Sequence, residues 1–361
     1  MLKELQLKIS NKKILKSLEA DIKHKLSQCD IVPLTKGQEN DIQAYYTKMF
    51  GCRVSTLWHQ YYYSRNGHFS PKYIPSSEYH INMVYRLNYF DFRMAYVDKG
   101  IYDDFFSDIN RPKTIVKNVN GYFSDGKKAL SREDAIERCQ NLKGAVVKPT
   151  LDGMRGRGVK LFTTTEGQLD DGSTVDQLFS SYKVNFIIQK RAEQHEGMMQ
   201  LNPTSLNTIR VLTYRDIRQV YPMYAIARIG RMGQSVDNLS SGGLFADVDL
   251  TTGRIRERGF SSPRENHIMK TDSGTVLDGF QIPSFEKIIS LAKELHTRLS
   301  YFNLVGWDFG VDEAGEPLLI EWNRNPDIFS QTAHGPAFGD MTDEILTRVR
   351  SLPDTRLVKY V

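Results

Sequence analysis

The chain has 361 residues, 40% apolar and 25% charged, the proportions of an ordinary soluble globular protein with room for two or three subdomains. Its net charge of +5 is spread along the length, which excludes the concentrated basic stripe of a dedicated nucleic-acid binder and suits an anionic small-molecule ligand. Cys29, Cys52 and Cys139 stand far apart with no CxxC pair, which argues against a disulfide scaffold or zinc site and for a reducing, cytoplasmic setting.

The opening segment, MLKELQLKISNKKILKSLEADIKHKLSQ, predicts an amphipathic, lysine-rich helix without the apolar run of a secretory signal. No other stretch approaches the roughly 20 apolar residues of a membrane span. The lysines of this helix permit a weak contact with an anionic membrane surface, although a solvated helix face has the same letters. Residues 1–95 read as a mostly helical, tyrosine-rich region, broken into short elements by Gly67, Pro71 and Pro75.

From residue 96 the texture changes. RPKTIVKNVNGYF predicts a strand, and SREDAIERCQNL a helix whose Ser131 and Asp134 have capping-box spacing. GAVVKP, VKLFTT and NFIIQKRA are further strands, and STVDQLFSSY a short helix. Residues 96–190 thus form a small α+β subdomain, and 191–361 a larger one. The larger part opens with two strands, NTIRVLTYRDIRQVYPMYAIARIG, followed by a glycine-rich loop and a hairpin turning at TTG. PSFEKIISLAKELHTRLS predicts a helix capped by Ser284, with Ile288, Leu291, Leu295 and Leu299 on its apolar face. LVGWDFGVDEAGEPLLIEWN predicts a closing hairpin around Asp312–Gly315.

Three constellations carry chemistry. GYFSDGKK (121–128) is not one of them: it nearly fits a P-loop, but Lys128 replaces the hydroxyl and the segment reads as a turn. A GxGxxG fingerprint after a strand is also absent. The first constellation is Lys148 followed by the loop DGMRGRG (152–158), where glycines let backbone N–H groups approach an anion and Arg155 and Arg157 add charge. Nucleic-acid contact or plain flexibility would produce the same loop. The second is the closing hairpin. With Val311 opposite Glu316, Asp308 faces Leu319 and lies diagonal to Glu321, and Asn323 follows on the same face. Two carboxylates and an amide are hard oxygen donors suited to Mg²⁺. The third is Arg210 and Arg228, which interrupt apolar strands and fit a triphosphate beside such a metal.

In this order the pieces resemble an ATP-grasp enzyme, an α+β fold in which two subdomains grip ATP, here with a helical N-terminal region. LNPTSLNTIRVLTY, DNLSSGG, VGWDFGV, LIEWNRNPD and HGPAFGDMTDEIL are most similar to the sugar-transfer-associated branch, over about residues 96–345. The resemblance implies nucleotide contacts from Lys99, Lys148, the loop residues Asp152, Gly153, Arg155, Gly156 and Gly158, the hinge Gln189, Lys190, Arg191 and Ala192, and Asn238. Lys113 and Lys117 are alternatives to Lys99, and either Glu193 or Glu196 would hold the ribose. Gln189 departs from the acidic residue common at this hinge. Asp308, Glu321 and Asn323 would bind magnesium.

The activity so implied is ATP- and Mg²⁺-dependent ligation of a carboxylate to an amine through an acylphosphate. Arg228 would stabilise the transferred phosphoryl group, and Arg210 that group or the acyl carboxylate. The carboxylate is expected to be a uronic acid on a nucleotide sugar or glycan in surface-polysaccharide synthesis, with His334 a candidate base for the amine. Rival readings are an ATP-grasp kinase or an amino acid–amino acid ligase and, from another class, a non-catalytic binder of nucleic acid or glycan. A pure binder has no use for the acidic hairpin face.

Overall fold

The β-branched and aromatic runs assemble into two antiparallel sheets. A computed structural model describes residues 2–89, 91–92, 96–151, 157–234, 242–261, 263 and 265–358. Five strands come first: β1 (Thr114–Val119), β2 (Tyr122–Ser124), β3 (Ala129–Leu130), β4 (Ala145–Pro149) and β5 (Lys160–Phe162). After a small ribbon of β6 (Thr164–Thr165) and β7 (Gln168–Leu169), β8 (Phe186–Lys190) inserts between β1 and β4, giving the order β3-β2-β1-β8-β4-β5. Helices Arg132–Glu137 and Val175–Tyr182 pack on this sheet through Ala135, Val175, Leu178 and Phe179. Both begin with a capping box, Ser131 with Asp134 and Thr174 with Gln177, which satisfies backbone donors that a six- or eight-residue helix could not otherwise pair. The P-loop-like segment is a hairpin turn: the Asp125 carboxylate accepts from the Lys127 and Lys128 N–H groups.

The second sheet contains β9 (Thr208–Arg215), β10 (Val220–Ile229), β11 (Leu244–Val248), β12 (Ile255–Phe260), β13 (Leu304–Val311) and β14 (Pro317–Asn323), ordered β12-β11-β10-β9-β13-β14. Its two faces have different partners because side chains alternate along each strand. Ile209, Val211, Ala227, Val305, Trp307 and Phe309 point to the helix Phe285–Thr297. Tyr102 and Phe106 are buried in the same core. Leu212, Tyr214, Tyr224 and Ile226 point the other way, where Tyr79, Met83, Val84 and Leu87 of the N-terminal region and Ile345, Leu346 and Val349 of the C-terminal helix cover them. That second face continues along the strands to Arg210, Arg228 and Asp308. One sheet face is thus apolar where the N-terminal region covers it and charged where it opens.

Asn88 fixes the N-terminal region to this sheet. Its side-chain oxygen accepts from the Asn303 and Leu304 N–H groups, and its amide nitrogen donates to the Leu304 and Arg324 carbonyls, each bond at 2.7–2.9 Å. The helix Phe285–Thr297 differs in one respect from expectation. Ser284 sits at φ 54° and makes no side-chain cap; its hydroxyl instead donates to the Gly315 carbonyl in the β13–β14 turn. The tie to the hairpin has displaced the local cap. Among the described residues, no helix is long and apolar enough to cross a membrane.

Buried histidines, His59 and His296 among them, make the fold acid-sensitive. The His296 Nε2–H donates to the Phe302 carbonyl at 2.9 Å, which leaves Nδ1 as an acceptor 2.7 Å from the Thr213 hydroxyl; that hydroxyl also accepts from Trp307. His59 is likewise fully buried. Burial pushes both imidazoles down from the ordinary 6.5, His59 to about 4 and His296 to about 3. The folded state therefore disfavours a proton that the unfolded chain accepts. Their contribution is intact above pH 6.5 and declines as pH falls below it, by up to about 1.4 kcal/mol per pH unit for each group. Urea unfolding at pH 7.5, 6.5 and 5.5 should show little change over the first interval and a clear loss over the second.

Candidate active site

The charged end of the second sheet is organised around Asp308. Asp308 on β13 lies directly beside Arg210 on β9 in the strand register. Arg210 Nε donates to Oδ1 at 2.7 Å and a terminal nitrogen to Oδ2 at 2.6 Å, a bidentate pair. Arg228 adds a bond to Oδ2 at 3.2 Å and the Asn323 amide another at 3.4 Å. Burial works against the Asp308 charge, but Arg210 and Arg228 outweigh it and hold the carboxyl below the usual aspartate range.

The hairpin register corrects the sequence reading. Val311 pairs with Pro317, not Glu316, and a bulge between Asp308 and Phe309 advances the pairing again. Asp308 is therefore directly opposite Glu321, and Leu319 opposite Phe309. Leu319 is buried in the helix-side core, while Ile320 and Glu321 both line the open side. The extra residue re-aims one strand without breaking the sheet. Asp308, Glu321 and Asn323 share a face, as expected, but by this bulge and not by simple alternation.

Two lysines approach from outside this sheet. Lys99, on a short turn capped by Asp98, places its Nζ 3.2 Å from Glu321 Oε2. Its backbone N–H donates to the Thr150 carbonyl at 3.0 Å, which ties it to the end of β4 two residues after Lys148. Burial pushes the Lys148 ammonium down to about 8, with repulsion from Lys99 adding to the shift and Glu321 opposing it. Lys113 also lines the cleft. Lys117 does not: it is buried against Asp103 at 3.3 Å and the Gly100 carbonyl at 2.6 Å.

Between the sheets runs a cleft of about 1500 Å³ that brings together Lys99, Lys148, Arg210, Arg228, Asp308, Glu321 and Asn323. Gln189, Lys190, Arg191 and Ala192 line it where β8 leaves the first sheet. The Lys190 and Arg191 N–H groups are engaged with the Lys113 and Gly144 carbonyls. The Gln189 side chain donates to the Pro112 carbonyl at 3.0 Å, which orients its amide and leaves the oxygen as a potential acceptor. Glu193 lines the cleft, whereas Glu196 is exposed at a helix start outside it. Gly158 has φ 71°, and a Cβ there would lie 2.9 Å from Pro149, so glycine is required for this loop end to return beside Lys148. Asp152, Gly153, Arg155, Gly156 and Asn238 lie outside the described residues.

His334 is not a cleft residue. It stacks on Tyr224, with ring centroids 4.2 Å apart, away from the cleft lining, and burial pushes it down to about 3. The cleft instead contains His80, Arg324, Asn325 and Asp327. The last three directly follow the acidic strand and were within reach of sequence reasoning. His80 left no signal, because its place depends on a contact between segments 247 residues apart.

Among the described residues there is no group of three or more His, Cys, Asp or Glu side chains placed for a metal. The donor set here is two carboxylates and an amide, which suits a hard cation that takes few protein oxygens and completes its shell with water and phosphate. The Asn323 nitrogen faces Asp308, so its oxygen is the atom left for a cation. The two acids stand among Arg210, Arg228, Lys99 and Lys148. Such a surplus of positive charge is matched by a polyphosphate entering with a divalent ion.

A family model described as sugar-transfer associated ATP-grasp matches residues 82–345. No curated protein matches the chain. Solved structures similar to it include the ATP-grasp ligase PsnB complexed with precursor peptide PsnA2 and AMPPNP, 11% identical over 71% of this chain and 60% of that one, TM-score 0.41. D-alanine–D-alanine ligase from Bacillus anthracis is 16% identical over 70% and 68%, TM-score 0.40. A biotin carboxylase–ATP complex from Campylobacter jejuni is 13% identical over 72% and 47%, TM-score 0.43. The chain thus spans less than two thirds of the length of PsnB and about half that of the carboxylase. With the matched region covering both sheets and every charged group of the cleft, the chain belongs to the sugar-transfer associated ATP-grasp family and has the ATP-grasp fold.

Proposed function

We propose that the protein is an ATP- and Mg²⁺-dependent carboxylate–amine ligase that works through an acylphosphate. The observation that carries this reading is the cleft itself, where an acidic strand pair from one sheet faces Lys148 at the end of β4 in the other and Lys99 bonded beside it. Lys99 and Lys148 hold the α/β side of the polyphosphate, and Arg228 the transferred γ-phosphoryl group. Arg210 orients Asp308 and reaches the γ-phosphate or the acyl carboxylate from the same side. Asp308, Glu321 and the Asn323 oxygen would hold magnesium, which would neutralise phosphate charge there. Adenine lies against the hinge 189–192, with the Gln189 oxygen in reach of its amino group and Glu193 in reach of the ribose. The glycine loop 152–158 closes over the phosphates and shields the acylphosphate from water. In this scheme the sheet of β1–β5 and β8 acts as the lid and the sheet of β9–β14, with the segment around Tyr102 and Phe106 packed on it, as the metal-bearing base.

The acyl donor is an anionic sugar, a uronic acid on a nucleotide or glycan, in surface-polysaccharide synthesis. Support comes from the family description and from Lys143 and Arg324, which line the cleft wall. The amine is an amino acid or another primary amine. A screen for ADP release, crossing uronic acids and nucleotide-linked uronic acids with amino acids in the presence of ATP and magnesium, tests the reading. Release that depends on both partners supports it; release with neither, or with a hydroxyl acceptor alone, overturns it.

Two variants test the residue roles. Glu321→Gln should reduce ADP formation at least about 100-fold while leaving the thermal midpoint near that of the wild type, since one polar contact is exchanged for another. Lys148→Ala should weaken ATP binding by about 1.5–3 kcal/mol in calorimetry, the range of a charge-assisted hydrogen bond. Because Lys148 is pushed down to about 8 while a polyphosphate favours its charged form, ATP binding near pH 8 should take up a fraction of a proton. Calorimetry in buffers of different ionisation heat reads that uptake, which should vanish in Lys148→Ala.

A further inference from the structure

We propose that His80, from the N-terminal helical region, is the general base of the acceptor half-reaction, on a cleft wall that it shares with Asp327. The assignment rests on the ligase reading above and adds a residue and an element to it.

His80 and Asp327 both line the cleft, on segments nearly 250 residues apart in sequence. Their segments are tied together one residue upstream of each: the Tyr79 side-chain hydroxyl donates to the Pro326 carbonyl at 2.6 Å. The loop carrying Asp327 is pinned twice more, by the Tyr224 hydroxyl on the Asp327 carbonyl at 2.9 Å and by Asn88 on the Arg324 carbonyl at 2.7 Å. Gly306 lets this loop settle on β13, since a Cβ there would lie 2.8 Å from the Pro326 Cβ. Asp327 is itself oriented by accepting the Phe329 N–H at 2.7 Å.

His80 sits in a single π-turn, Tyr79–Met83, within an otherwise α-helical run. Such a turn is a common way to re-aim side chains at functional sites. Tyr79 and Met83 enter the apolar core against the second sheet, while His80 is left at the boundary with the charged cleft. Burial keeps the His80 imidazole below the usual histidine range, and the Asp327 charge opposes that shift. The resting ring is therefore uncharged at neutral pH, as a base must be, and Asp327 stabilises the imidazolium that forms.

The step balances as follows. An ammonium acceptor gives one proton to His80. Its nitrogen attacks the acyl carbon, the carbon–oxygen bond to phosphate breaks, and the second proton leaves with the hydrogen phosphate. The amide keeps the third. His80 is reset by giving its proton to solvent as product departs.

Hydroxylamine separates this role from a structural one, because it is unprotonated at neutral pH and traps acylphosphates without a base. Wild type and His80→Gln are compared on the most active carboxylate–amine pair of the screen, and on the same carboxylate with hydroxylamine. The expected result is at least about a 100-fold loss with the amine and no change in hydroxamate formation. Equal loss with both nucleophiles, or loss with neither, overturns the assignment. A wild type inactive with every carboxylate, hydroxylamine included, overturns the ligase reading itself. Should His80→Gln not fold, Asp327→Asn provides the test: slower aminolysis, an acidic limb shifted to lower pH and an unchanged hydroxylamine rate. An unshifted limb overturns the pairing.

Discussion

The bidentate clamp of Arg210 on Asp308 is the constraint on which the rest of the site depends. A carboxylate only 2% exposed is unstable as an ion unless positive charge surrounds it, and an arginine beside it has the same difficulty in reverse. Placed on neighbouring strands in direct register, each solves the other's problem. Arg228 extends the clamp to a third strand and Asn323 to a fourth. The acidic face is thereby rigid before any ligand arrives, and a preorganised charge array is what phosphoryl chemistry needs.

The same sheet face explains the architecture on either side. Where its residues are Leu212, Tyr214 and Ile226, the N-terminal region lies on it and excludes water. Where they become Arg210, Arg228 and Asp308, nothing apolar could cover them without great cost, so the face opens into the cleft. The boundary between the two regimes is therefore where an N-terminal side chain meets the site. His80 occupies that boundary, and Tyr79 beside it belongs to the core.

The two lysines link the lobes. Lys99 meets Glu321, and its backbone is bonded to Thr150, just past Lys148. The Glu321 carboxylate so held has a partner that a phosphate-bound cation would replace, and Lys99 would turn to the phosphate. Exchange of one ionic partner for another keeps the charges compensated throughout binding.

Much of this was legible from letters alone. Apolar alternation marked the strands, the Ser131–Asp134 spacing a helix start, and the acidic letters of the closing hairpin its charged face, because these depend on neighbours within a few residues. The hairpin register was not legible: one bulged residue moves Leu319 into the core and sets Asp308 against Glu321, and no local preference specifies it. Ser284 resembled a helix cap, but the distant Gly315 carbonyl claims its hydroxyl. His334 resembled a loop base, yet Tyr224 stacks on it and burial depresses its basicity. His80 was hidden altogether, since a Tyr79–Pro326 bond between segments 247 residues apart puts it at the cleft. The sequence by itself determined the element types and the family, because side-chain period and residue type are local properties. Only the tertiary structure decided which charges meet and which histidine faces the site, because burial and contact are set by parts of the chain that are far apart in sequence.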